Sequence, residues 1–117
     1  MKIFVYGTLK QGEYNHKCLK NSTYIDDAML KGFTLYDTGY GYPAAVEEEY
    51  SCITGEVYEV SEQDYKYIRS MELGAGYDEI DLGEFIIYTF PKERIKHLYN
   101  AKKIGKSWGW KDNAKIF

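Results

Sequence analysis

Short apolar runs and polar punctuation alternate along the chain, and the apolar period changes from one stretch to the next. Residues 2–6 form a β-rich apolar run with no polar interruption after Lys2, the pattern of a strand buried on both faces. Gly7 stops it, Gly12 closes the loop that follows, and residues 14–21 suit one or two helical turns. Residues 23–36 read as two strand-like pieces broken near Asp26 and Asp27; in the second, Phe33 and Leu35 alternate with Thr34 and Tyr36. Residues 37–43 carry Asp, Gly and Pro together, which is loop chemistry. A short strand over 44–46 then meets Glu47, Glu48 and Glu49, which read as a solvated hairpin end. Residues 51–60 alternate again as a strand.

Ser61 is a good helix N-cap, with Glu62 and Asp64 in the first turn, where acidic groups favour the helix dipole. Tyr65, Ile68 and Met71 recur at helical spacing up to Gly74. Residues 77–82 and 84–90 pair as a hairpin about Gly83, and Pro91 opens a second helix with Ile95, Leu98 and Tyr99 on one face. No repeat or linker divides residues 1–117. The pattern predicts a single α+β domain of about six strands with two or three short helices.

Composition adds limits. Hydrophobic residues make up 44% and charged residues 28% of the 117, enough for a core and too little charge for disorder. Thirteen tyrosines suit strands and pocket walls. Cys18 and Cys52 are the two cysteines and belong to no cysteine motif, so a disulfide scaffold is not expected. Nothing near Met1 reads as a secretory signal, and no segment approaches the ~20 apolar residues of a membrane span, so the chain is expected to be cytoplasmic.

The net charge of −3 is uneven: residues 91–117 carry +6 and residues 1–90 carry −9. A basic tail with Trp108 and Trp110 could bind single-stranded nucleic acid, but the acidic body argues against that partner. The simpler reading has the lysines solvating a final strand or tail while the tryptophans pack on the core.

Two stretches carry candidate chemistry. In Tyr6-Gly7-Thr8-Leu9, a strand stops at glycine and feeds a loop, exposing successive backbone N–H groups that can hold a carboxylate, a phosphate or an oxyanion. Gly7 and Gly12 have the spacing of a nucleotide-binding loop, but Glu13 and Tyr14 stand where Lys and Ser/Thr would be needed. A plain β-turn with no ligand is the other reading of this spacing. The second candidate is Glu72, on the apolar stripe of its helix beside Ile68 and Met71. Burial there would raise its pKa toward neutrality, where a carboxyl can shuttle protons. Periodicity alone favours the alternative, a carboxylate pointing sideways into solvent. His16 and Cys18 lack a second cluster to complete a tetrahedral zinc site, so no metal is expected.

Taken in order, the stretches FVYGTLKQGEYNH (4–16), LYDTGYGYPAAV (35–46), GEVYEV (55–60) and MELGAGY (71–77) resemble the gamma-glutamylcyclotransferase-like superfamily, with its AIG2-like and gamma-glutamylamine cyclotransferase branches. The resemblance covers residues 2–90, with a weaker echo at 103–108. It implies a small mixed β-barrel flanked by helices. It implies that Tyr6, Gly7, Thr8 and Leu9 hold the substrate, that Glu72 is the general acid/base, and that no cofactor is needed. Tyr77 follows the glutamate as in the family and is expected in the pocket wall, an ordinary strand aromatic being the alternative.

The implied activity is cyclisation of a gamma-glutamyl amide, a small-molecule substrate, to 5-oxoproline with release of an amine. A chain this small often works as a monomer. Three positions depart from the family pattern: Arg69 replaces Asp, Leu73 replaces Gly, and Glu79 replaces Arg. They motivate the rival reading, a non-catalytic module of the same fold that binds a small acid or a partner.

Overall fold

The computed structural model describes residues 1–109. Its strands are β1 (Lys2–Val5), β2 (Thr23–Asp37), β3 (Pro43–Glu59), β4 (Asp78–Asp81), β5 (Ile86–Thr89) and β6 (Lys102–Gly105). The helices are α1 (Glu62–Gly74) and α2 (Lys92–Lys96), with a 3-10 turn at His16–Leu19. The expected α+β class and the count of six strands hold. The tryptophan reading divides: Trp108 packs on the core, while Trp110 lies outside the described residues.

The sheet order is β4-β5-β1-β3-β2-β6. The sheet is mixed, since β1 runs antiparallel to β3 and parallel to β5. Strand β3 also reaches β5 through one parallel pairing, Ala45 with Thr89. β4 and β6 remain as edges that do not pair with each other, so the sheet is not closed and "barrel" overstates it.

β1 is buried on both faces, as its unbroken apolar run predicts. Ile3 and Val5 enter one core with Tyr58, Ile68 and Ile95, so both helices pack on that side. Phe4 and Tyr6 enter a second core with Leu35, Ile53 and Ile87.

Local chemistry explains most element boundaries. The Ser61 side chain accepts a hydrogen bond from the Asp64 N–H at 3.1 Å and caps α1. β4 and β5 form the expected hairpin, with Asp78 opposite Thr89.

Three expectations need correction. The two pieces expected over 23–36 are one strand of 15 residues; the apparent break is a register shift between Tyr24 and Asp26 that leaves Ile25 without a partner in the ladder. Likewise, residues 43–59 form one strand. Glu47, Glu48 and Glu49 are not a hairpin end, because the turn of the β2–β3 hairpin lies at residues 38–42. Instead, Phe33 pairs Glu47 while Lys31 pairs Cys52, so the chain makes an excursion inside β3, with Tyr50 at φ 68°. Bulges place polar side chains outside the alternation, and in sequence that looks like strand ends. Finally, α2 stops at Lys96, which leaves Tyr99 in the following turn and exposed, while Ile95 is buried and Leu98 packs on the core.

Candidate active site

Strand β1 delivers Tyr6 into the interior. Its hydroxyl donates to the Tyr88 carbonyl at 2.6 Å and accepts from the Ala45 N–H at 3.0 Å. Burial pushes that phenol far above its ordinary range. Tyr6 therefore ties β1 to both β3 and β5 and forms the floor beneath the loop that follows.

The loop itself is braced from two sides. A Cβ on Gly7 would sit 2.7 Å from Pro43 Cγ, so only glycine lets the backbone press against the start of β3. The Lys10 N–H donates to the Gly7 carbonyl at 3.1 Å, and the Asn15 N–H to the Thr8 carbonyl at 2.9 Å. Asn15 Nδ2 donates to Thr8 Oγ1 at 3.0 Å, and His16 Nδ1 lies 2.9 Å from the Leu9 carbonyl. The carbonyls of Gly7, Thr8 and Leu9 are thus all engaged. Their N–H groups have no protein acceptor among the described residues. Three successive free donors at one place form a ready anion cradle. Lys10 does not contribute, because its ammonium is buried and donates to the Trp108 carbonyl.

Glu72 approaches the same place from α1, one turn beyond the fully buried Ile68. It lines a cleft together with Tyr6, Gly7, Thr8, Leu9 and Tyr77. Its carboxylate has no hydrogen-bond or ion-pair partner among the described residues, and burial pushes it up to about 7. The solvent-facing alternative therefore does not hold. Tyr77 follows the helix, its N–H donating to the Glu72 carbonyl at 3.0 Å and its hydroxyl to the Pro43 carbonyl at 2.5 Å. All six residues expected at the site lie in this one cleft.

The cleft also contains Tyr42, Pro43 and Tyr88, which sequence reasoning did not single out. Tyr42 and Pro43 stand inside a stretch read as loop; their place at the site follows from the β2–β3 hairpin, which periodicity does not reveal. Asn15, quoted only as part of a motif, and His16, weighed besides as a zinc ligand, prove to be the loop's braces.

Two of the three unusual positions are partners. Arg69 Nε lies 3.3 Å from Glu79 Oε2, and that oxygen also accepts from the Tyr88 hydroxyl at 2.7 Å and the Tyr65 hydroxyl at 2.9 Å. Partial burial raises the Glu79 carboxyl, but the donors from Tyr88, Tyr65 and Arg69 outweigh it and hold the group below its usual range. Leu73 is exposed at the helix end and touches none of this.

Among the described residues, no group of three or more His, Cys, Asp or Glu side chains could hold a metal. No described helix is long and apolar enough to cross a membrane.

A family model described as gamma-glutamyl cyclotransferase, AIG2-like, matches residues 3–107. The gamma-L-glutamyl-butirosin B gamma-glutamyl cyclotransferase of Niallia circulans is 44% identical over 70 residues, covering 60% of this chain and 44% of that protein. The mouse gamma-glutamylaminecyclotransferase is 32% identical over 83 residues, covering 60% of this chain and 53% of the relative. Among solved structures, a Pyrococcus horikoshii protein superposes with a TM-score of 0.67 at 28% identity, covering 77% of each chain. The chain spans about half the length of several curated relatives it matches.

Proposed function

The chain belongs to the gamma-glutamyl cyclotransferase, AIG2-like family, and from that premise we propose that it converts a gamma-glutamyl amide to 5-oxoproline and releases the amine. One observation carries the reading. An unpartnered carboxyl raised to about 7, Glu72, shares a cleft with three successive N–H groups that have no protein acceptor among the described residues.

The chemistry asks little else of the protein. The substrate's own α-amine attacks its γ-carbonyl carbon, so nucleophile and electrophile arrive already joined, and orientation contributes several kcal/mol. As the ring C–N bond forms, the attacking nitrogen loses a proton to the Glu72 carboxylate. The carbonyl oxygen becomes an oxyanion, and the N–H groups of Gly7, Thr8 and Leu9 face negative charge of that kind. The bond to the leaving nitrogen then breaks, and Glu72 returns the proton to it. One proton is taken and one is given, no water is consumed, and Glu72 ends as it began. A carboxyl near neutrality can do both in turn, which one at its usual value does poorly. The reaction calls for neither a protein nucleophile nor a metal. A soluble, cytoplasmic setting and a small gamma-glutamyl substrate form part of the proposal.

The test is 5-oxoproline formation, followed by mass spectrometry, from a panel of gamma-glutamyl amino acids and amines. The Glu72→Gln variant is expected to lose about 10²- to 10⁴-fold in turnover with an unchanged circular dichroism spectrum. Full activity in that variant would sink the mechanism. A wild-type protein inert toward the whole panel would favour the binding-module reading.

A further inference from the structure

Aromatic rings continue in series beyond the cleft. Phe90, Tyr77, Tyr42 and Tyr40 succeed one another with centroid separations of 4.4, 6.0 and 6.5 Å. Phe90 is buried, Tyr77 and Tyr42 line the cleft, and Tyr40 is outermost at 70% exposure. The Tyr40 and Tyr42 planes lie within 27° of each other, close to a stack. Tyr40 therefore continues the cleft wall at Tyr42 outward, with its ring in water.

The exposed ring is held in place by its loop. The fully buried Thr38 donates its hydroxyl to the Tyr42 carbonyl at 2.7 Å and accepts from the Tyr40 N–H at 3.3 Å. The Gly39 N–H donates to Asp37 Oδ1 at 2.9 Å. Gly39 and Gly41 take φ of +87° and +88°, reversing the chain on both sides of Tyr40. A Cβ on Gly39 would fall 2.8 Å from that of Asn100, so the loop is also pinned from behind. A large aromatic held in water by a hydrogen-bonded loop, next to a ring that lines the cleft, has the form of a binding surface.

Charge narrows the ligand. Glu72 is the one acidic residue lining the cleft, and no Lys, Arg or His joins it there among the described residues. A leaving-group carboxylate inside the cleft would face Glu72 without a lining cation; Arg94, over the buried Phe90 ring at 4.6 Å, is not part of that lining. A flat apolar leaving group would meet rings.

We propose that Tyr42 and Tyr40 form a leaving-group subsite that stacks the ring of an aromatic amine, so that the preferred substrates are gamma-glutamyl conjugates of arylalkylamines. This rests on the cyclotransferase reading of the cleft.

The test compares kcat/KM for gamma-glutamyl-phenethylamide and gamma-glutamyl-ethylamide. An aromatic stack adds to the transfer of the ring out of water, so wild type should prefer the phenethylamide by about two- to tenfold from the stack. In Tyr40→Ala the preference should fall toward parity, and in Tyr40→Phe it should persist. Equal rates in wild type, or a preference untouched in Tyr40→Ala, would overturn the subsite. Gamma-glutamylphenylalanine carries the same ring plus a carboxylate and should be slower than the phenethylamide; an equal or faster rate would overturn the assignment to amines. If neither amide is turned over, the cyclotransferase reading fails while the subsite is still decided. Calorimetric binding of N-acetyl-phenethylamide, weakened several-fold in Tyr40→Ala, would support it, and unchanged binding would overturn it.

Discussion

At the scale of single residues, Glu72 shows what burial without a partner does. A carboxyl whose folded pKa lies above its unfolded value binds protons more tightly when folded, so the fold favours its neutral form. Below about pH 4.5 both states are protonated and this group costs nothing. The loss accumulates between about 4.5 and 7 and is constant above that. Glu72→Gln mimics the neutral form, so it should stabilise the protein at pH 8 by up to about 3 kcal/mol and change little at pH 4, as read from denaturation midpoints. Over the same range the wild-type kcat/KM should rise with pH through about 7, as the carboxylate that accepts the first proton appears. Equal midpoints at pH 8 would show that the carboxylate is well solvated. Glu72 and the loop from Tyr6 to Leu9 stood out in the sequence as residues, a glutamate on an apolar stripe and a strand ending at glycine. Periodicity favoured a solvent-facing glutamate, however, and spacing left a plain turn open, so their roles came from the family resemblance. Tyr42, Pro43 and Tyr88 did not stand out, because long-range strand pairing brings them to the cleft.

At the scale of elements, the ion pair between Arg69 and Glu79 joins α1 to β4, and the Tyr88 hydroxyl brings in β5. The two departures from the family pattern that involve charge are thereby one feature. Arg69 is half exposed and Glu79 is more covered, so their contributions should differ. Glu79→Ala strands the hydroxyls of Tyr65 and Tyr88 and should lower stability by about 1–3 kcal/mol. Arg69→Ala should cost less than about 1 kcal/mol, as exposed ion pairs do. Urea denaturation of the two variants checks the order, and an equal loss in both would contradict it. Elements set by neighbouring residues were the readable ones: the Ser61 cap and the hairpin about Gly83. The long strands were read as fragments because an unpaired Ile25 and an excursion over the glutamates interrupt the alternation, while the same two strands resume pairing on the far side of each break.

At the scale of the whole molecule, β1 lies between β5 and β3 with helices packed over one face, while β4 and β6 form the edges. Amide hydrogen exchange should therefore be slowest at Ile3, Phe4 and Val5 and much faster in β6, because edge strands open with less of the core disturbed. Comparable protection in β1 and β6 would mean that the sheet opens as one unit. The α+β class was legible from the sequence of periods, and closure into a barrel was not, since nothing local fixes whether two edge strands meet. The start of β3 has a wider consequence. Pro43 abuts Gly7 and accepts from Tyr77, while Ala45 accepts from the Phe90 N–H and donates to Tyr6. The cleft's parts are thus fastened to a stretch of chain that is itself central to the fold. Heating then leaves little room for a warm, folded but inert form: activity and tertiary structure should be lost together, with no separate softening of the cleft beforehand.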